Sequence, residues 1–486
     1  MGLDWAAIGS GAAEGLDGAI VELRGWFVAI AAGPVSYGAL VPEPDCCAAG
    51  VVLRPATTVE VFLERPIAGA PARLLTLTGR WLLERDAGAG WRFRLCGARV
   101  VAEEAHPSRR RRLFMGTAAA VGLVACSTGP FHGYTDAEPA VALRSAGEHA
   151  ASATVTIDVH SHAGRVILSR RESAALQRPF TPLAGPMRDG GMNVVCLAIV
   201  ADTTATHVAA DGMRFEPFRT PEPGEMYAHS RVAFARCAAL IEQQGLHVIE
   251  DAAALRAAPL RGPSVIVASE GADFLEGRIE RVDEAWRLHR LRHLQLTHYR
   301  VNELGDIQTE PPVHGGLTDF GAAVISRCNA LGIVVDVAHG PFDLVQRAAK
   351  VTTRPLILSH TSLTPRPGPR SRQISAAHAR LVADTDGLIG VWPSAGIFAN
   401  LEAMARGARQ LADVVGADHV ALGSDMLGFI SPPVFNSYRQ LRAYASALQD
   451  AGFAPADVDK VLGGNYLRVF EATLEGSATA RSSPSA

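Results

Sequence analysis

Histidines and carboxylates recur after short apolar runs from residue 158 onward in this 486-residue chain. One run closes in Asp158-Val159-His160-Ser161-His162. Others close in Ser269-Glu270-Gly271, in Thr297-His298, in His339, in His360 and in Gly423-Ser424-Asp425. Strict alternation along a strand would put His160 and His162 on the same side, where a His-x-His pair can chelate one ion. Four metal-binding imidazoles (His160, His162, His339 and His360), one central carboxylate (Glu270) and a terminal Asp425 suit a borderline cation such as zinc. A single glutamate can bridge two ions about 3.5–4 Å apart, the spacing used in two-metal hydrolysis. Taken singly, each of these residues reads equally well as a hydrogen-bonded core side chain. Their repetition at strand ends, in chain order, carries the metal reading.

Such convergence needs a fold that brings strand ends to one rim. Gly332–Leu363 shows the unit: apolar runs Ile333–Val337 and Pro355–Leu358, each followed by a histidine, flank an amphipathic stretch, Phe342–Lys350. This is a βαβ pattern with strands buried on both faces, as in a parallel sheet. Eight such strands are expected: Thr154–Val159, Met192–Val200, Ser264–Ala268, His293–Leu296, Ile333–Val337, Leu356–Leu358, Leu388–Val391 and Val420–Leu422. Helical patterns lie between most of them, at Ser230–Gln244, Glu280–Leu291, Thr318–Ala330, Ala376–Asp384 and Leu401–Val415. The fold class is therefore α/β, a (β/α)8 TIM barrel over residues 154–474, with functional residues at the carboxyl ends of its strands. Asn436–Asp450 and Pro455–Leu474 read as terminal helices, the polar stretch Asp202–Tyr227 as a rim excursion, and residues 475–486 as a disordered tail.

The barrel does not account for the whole chain. Residues 1–105 read as a small β-rich N-terminal domain, a barrel or sandwich, with strands near Val21–Ile30, Val59–Leu63, Leu74–Leu83 and Trp91–Val101. Its Cys46, Cys47 and Cys96 are not at metal-site spacing and read as ordinary thiols. Residues 106–127 have the order of an export signal: a basic run, Arg109–Arg112, then Leu113-Phe114, a stretch of small apolar residues, and Cys126. Arg111-Arg112-Leu113-Phe114 resembles a twin-arginine signal, and Leu123-Val124-Ala125-Cys126 resembles a bacterial lipobox whose cysteine is lipidated. These features imply a membrane association through a lipid or signal anchor and a periplasmic or cell-envelope location. The mid-chain position keeps a cytoplasmic alternative open. Residues 128–153 read as a flexible spacer.

Composition sets the remaining bounds. The chain is 48% hydrophobic and 20% charged, with a formal net charge of -3, which offers no general attraction for nucleic acid. Seven cysteines in this length do not make a disulfide framework. No apolar run reaches the roughly 20 residues of a membrane-spanning helix.

From about Thr154 to Leu474 the chain resembles the membrane (renal) dipeptidases, zinc peptidases of the amidohydrolase superfamily. The resemblance is carried by Ser269-Glu270-Gly271-Ala272, Leu294-Gln295-Leu296-Thr297-His298 with Asn302, and Gly316-Leu317-Thr318-Asp319-Phe320-Gly321. It continues in Asp336-Val337-Ala338-His339, Leu358-Ser359-His360-Thr361-Ser362, Gly423-Ser424-Asp425 and Gly464-Asn465-Tyr466-Leu467-Arg468-Val469-Phe470. It implies two zinc ions per chain, one on His160 and His162, the other on His339 and His360, with Glu270 between them. It also implies His298 against the substrate and its developing oxyanion, Arg372 on the substrate carboxylate, and Asp425 handling protons. The implied reaction is cleavage of a small dipeptide with a free carboxyl terminus, D-residues included, by a hydroxide held between the two ions. A homodimer is the expected assembly.

Two departures stand out. The family has Asp where this chain has His162, and Phe-Asp where it has Met426-Leu427. The first removes a negative charge from the metal site. The second removes a carboxylate near the substrate. Both leave room for another amide, an N-acyl amino acid or a lactone as substrate, or for a metal-binding protein without turnover.

Overall fold

Alternating apolar side chains in the first 104 residues cannot bury one face unless their strands wrap around it. In the computed structural model they do. The structure describes residues 2–10, 12–29, 33–42, 59–69, 73–83, 93–104, 155–168, 179–209, 214–430 and 433–481. The chain forms two compact units, Met1–Phe131 and His132–Ala486.

In the first unit a short β1 (Gly2–Leu3) lies beside β2 (Ile20–Ala29), which is followed by β3 (Gly33–Val41), β4 (Val59–Gly69), β5 (Arg73–Leu83) and β6 (Phe93–Glu104). The pairings β2–β3, β3–β4, β4–β6, β6–β5 and β5–β2 close a five-stranded ring, antiparallel except for β4–β6. Closure removes the sheet edges that would otherwise invite association. Val21, Leu23, Val61, Leu77, Trp81, Phe93 and Leu95 fill the ring. The expected small barrel or sandwich thus corresponds to a ring. Sequence reading omitted β3, whose glycines and proline obscure its strand character. The signal-like segment 106–127, with Cys126, and the spacer 128–153 lie outside the described residues.

In the second unit eight parallel strands run in chain order: β7 (Ile157–Ser161), β8 (Val194–Val200), β12 (Ser264–Glu270), β13 (Leu291–Gln295), β14 (Val334–Asp336), β15 (Leu356–Thr361), β16 (Leu388–Val391) and β17 (Val420–Leu422). Between β8 and β12 come a two-stranded rim hairpin, β9 (Thr206–Val208) and β10 (Phe215–Pro217), and a short β11 (His247–Val248) beside β12. The first and last barrel strands meet at the rim, where Asp425 N donates to His160 O at 2.9 Å and His162 N to Met426 O at 2.9 Å. The result is a nearly closed (β/α)8 barrel.

Burial explains the continuous apolar runs. Alternate strand residues such as Val194, Cys196, Ile266, Val334, Ile357 and Ala421 fill the lumen, while Val195, Val265, Val335, Leu358 and Leu422 pack under the helices. The helix Asn465–Arg481 seals one end of the lumen with Tyr466, Val469 and Phe470. It runs on through residues 475–481, which the sequence reading assigns to a disordered tail; 482–486 lie outside the described residues. No helix among the described residues is long and apolar enough to cross a membrane.

Candidate active site

Alternation alone does not put His160 and His360 over the barrel mouth. The register of β7 against β8 shifts between Asp158 and Ser161, and that of β15 against β16 shifts between Leu358 and Thr361. Each shift falls on the residues around a histidine and re-aims the side chain, as bulges near active sites do. His162 lies just past β7, before a short 3-10 turn. His339 and Asp425 both adopt left-handed backbone conformations, φ 66° and 46°. Non-glycine residues take up that strain where surrounding structure holds them. Glycine is required beside Asp425, because a Cβ on Gly428 would come within 2.0 Å of Asp425 Oδ1.

Glu270 is the centre of the site. Its Oε1 lies 3.5 Å from His160 Nε2, 3.2 Å from His339 Nε2 and 3.4 Å from His360 Nε2. Its Oε2 lies 3.1 Å from His162 Nε2 and 3.3 Å from His298 Nε2. All six residues are buried. Burial alone would raise the Glu270 carboxyl, but the imidazoles, His298 and His160 foremost, hold it well below the usual carboxylate range. Burial pushes His339 and His360 well below the ordinary imidazole range, the neutral form that ligates metals. Burial opposes the charged form of His162 as well, yet its hydrogen bonds to Asp425 and Glu270 prevail and carry it up to about 10.

The donor set fits a metal centre. Three groups lie with their ligand atoms within 4.8 Å of one another: His160, His162 and Asp425; His160, Glu270 and His360; and Glu270, His298 and His339. The pairs inferred for separate ions therefore share one cluster, with His160 and His360 ring centroids 4.2 Å apart. Outer hydrogen bonds fix several rings. His162 Nδ1 lies 2.8 Å from Ala198 O, and His360 Nδ1 lies 2.9 Å from Ser359 Oγ, leaving Nε2 of each toward the cluster.

Two buried aspartates brace the strand ends that carry these ligands. Asp158 accepts from His160 N, Ser424 N, Ser424 Oγ and Tyr438 Oη, tying β7 to the segment that bears Asp425. Burial still pushes its carboxyl up to about 6. Asp336 accepts from Ala338 N and Ser359 N, the residues before His339 and His360, and its other oxygen lies 3.2 Å from His293 Nε2.

Asp202 is a site residue that sequence reading did not single out. It is buried at the end of the β8 run, and its Oδ1 lies 2.7 Å from His298 Nδ1 while Oδ2 accepts from Tyr299 N. The available signal was its strand-end position, the one that drew attention to every other member. We expect Asp202→Asn to lower kcat/KM by about tenfold to a hundredfold, the usual cost of losing a carboxylate behind a functional imidazole. Metal content should be unchanged; a variant that turns over like wild type would remove Asp202 from the site.

Over the cluster sits a pocket of about 190 Å³. Its lining includes His298, His339, His360, Glu270 and Asp425, together with Arg372, Arg370, Tyr299, Trp392 and Phe429. His160 and His162 lie beneath it. Trp392 Nε1 donates to Asp425 Oδ2 at 3.2 Å and its ring stacks on Phe429. Arg372 donates to Gln308 Oε1, while its Nε is buried without a hydrogen-bond partner among the described residues. Met426 is buried in the core and Leu427 packs against it, so neither side chain lines the pocket.

Comparison with known proteins bears on this geometry. The model of the membrane dipeptidases, peptidase family M19, matches residues 184–484. The chain belongs to that family. The match begins after β7, so His160 and His162 join the site through the fold. A dipeptidase from Aspergillus oryzae is 30% identical over 190 residues, 37% of this chain and 44% of that protein. A dipeptidase from Clonostachys rogersoniana is 25% identical over 207 residues, 39% of this chain and 51% of that protein. The chain thus spans about half the length of these curated relatives. Among solved structures, a metallopeptidase from Rhodobacter sphaeroides, liganded with a phosphinate mimic of the dipeptide L-Ala-D-Ala, is 22% identical with a TM-score of 0.55. The alignment covers 66% of this chain and 99% of that one, and shows a shared fold.

Proposed function

We propose that the protein is a metal-dependent hydrolase that cleaves the peptide bond of dipeptides bearing a free carboxyl terminus. The observation that carries this reading is Glu270 ringed by five imidazole Nε2 atoms beneath a pocket that also holds Asp425 and Arg372. His160, His162, His339 and His360, with Glu270 between them, would hold two ions, and an imidazole-rich set of this kind favours zinc. Bound there, the ions would supply Lewis acidity and water of lowered pKa.

The chain's own residues do the rest. Arg372 grips the substrate carboxylate through parallel N–H donors, and its partnerless Nε leaves one donor uncommitted. That grip sets the scissile carbonyl over the cluster. His298, with Nδ1 held 2.7 Å from Asp202 Oδ1, turns Nε2 toward the oxygen on which charge develops. Asp425, oriented by Trp392, accepts the proton of the attacking water and returns it to the leaving amine. Hydrolysis of N-acyl amino acids is the second reading. One observation supports it: Glu270 and Asp425 are the only carboxylates among the described lining residues, and both belong to the histidine cluster.

The test is a panel of dipeptides, with D-residues at the second position and N-acetylated analogues, offered to metal-analysed protein. Free dipeptides should be cleaved fastest. For Arg372→Ala we expect KM for carboxylate-bearing substrates to rise about tenfold to a hundredfold, the worth of a charged hydrogen-bonded contact. A substrate amidated at its carboxyl terminus should be indifferent to the change. Equal KM values for variant and wild type would remove Arg372 from that role.

A further inference from the structure

Charge balance in the pocket is uneven. Three guanidinium groups line it, those of Arg214, Arg370 and Arg372. Arg214 is already matched, with Nη1 donating to Glu216 Oε2 at 2.6 Å. Arg372 donates to the neutral acceptors Gln308 Oε1 and the carbonyl of His360, and pairs with no carboxylate among the described residues. Arg370 has no carboxylate partner among the described residues, and it projects from the same loop two residues earlier. That loop is pinned at its base, where Thr364 N donates to Ile374 O and Ile374 N to Ser362 O. Arg370 itself sits at φ 61°, a strained setting for a side chain of this size. The carboxylates in the lining, Glu270 and Asp425, belong to the histidine cluster.

We infer that the pocket is built for a substrate with two negative groups on its carboxy-terminal residue, an aspartate or glutamate at the leaving position. Arg372 takes the α-carboxylate and Arg370 the side-chain carboxylate. The assignment rests on the reading above for the place of the α-carboxylate, and extends it to the substrate's side chain. Two guanidiniums on one loop match two carboxylates on one residue, and a neutral leaving residue would leave Arg370 unmatched. Arg370 is solvent-exposed, so its contribution falls between the negligible value of an open-surface pair and the roughly tenfold to hundredfold of a buried one.

Binding separates this inference from the question of turnover. Calorimetry on the metal-loaded full-length protein would compare N-acetyl-glutamate with N-acetyl-alanine. We expect wild type to prefer the dianion by about tenfold, with the preference shrinking as salt is raised. Arg370→Ala should bring the ratio near one, and Arg370→Glu should invert it. With dipeptides, the kcat/KM ratio of Ala-Glu to Ala-Ala should follow the same order. A dianion preference that depends on Arg370, with no dipeptide cleaved, would support the anion pocket and overturn the dipeptidase reading. Equal binding of the two acids by wild type, or a preference untouched by both variants, would overturn the inference even if dipeptides are cleaved.

Discussion

A Glu270→Gln protein is expected to lose its bound metal on dialysis and about a thousandfold in kcat/KM, several kcal/mol of electrostatic stabilisation at 1.36 kcal/mol per tenfold. The substitution keeps size and shape but removes the charge around which five imidazole Nε2 atoms are gathered within 3.5 Å. One carboxylate oxygen becomes an amide donor among atoms that must present lone pairs to a cation. Elemental analysis of dialysed protein, with kinetics before and after metal is added back, measures both effects. Wild-type metal content and turnover in the variant would mean that Glu270 does not organise the site.

Asp425→Asn should behave differently. Here the loss is expected in kcat, about a hundredfold to ten-thousandfold, the range for removing a positioned general base and acid. KM and metal content should change little, because Arg372 and the histidines around Glu270 are untouched. The alternative is chemically real, since Asp425 Oδ1 lies 3.3 Å from His162 Nε2 and the pair belongs to one possible ligand group with His160. Metal loss in step with activity would make Asp425 a ligand and sink its role as proton carrier.

The barrel was legible because its strands are buried on both faces and read as unbroken apolar runs, each set off by an amphipathic helix. Strand-end position then picked out Glu270, His298, His339, His360 and Asp425. What could not be read was the local distortion that aims them. Alternation places His160 and His162 on one side, and their Nε2 atoms do lie 3.3 Å apart, but a period-two pattern cannot show the register shift after Asp158 that aims the pair. The rim hairpin β9–β10 carries Arg214 and Phe215 to the pocket, yet its strands are too short for a periodic signal. Asp202 had the strand-end signal, at the close of the β8 run, but its pairing with His298, 96 residues away, shows only in three dimensions. Arg370 and Arg372 lie in the loop between Ser362 and Ile374, rich in proline (Pro365, Pro367 and Pro369), where no periodicity assigns side chains to a face, so their meeting at one pocket became visible only in three dimensions.

The seam of the barrel has a thermodynamic consequence. Asp158 and Ser424 are 266 residues apart, and His160 meets Asp425 only when the first and last strands have docked. The unfolded chain therefore holds no complete ligand set, and cation affinity belongs almost wholly to the finished ring. By mass action the ion stabilises the closed state by RT ln(1 + [L]/Kd), so the melting temperature should climb with free metal concentration. A lesion at the seam, such as loss of the Tyr438 hydroxyl, would then look like weakened metal affinity although no ligand has been touched.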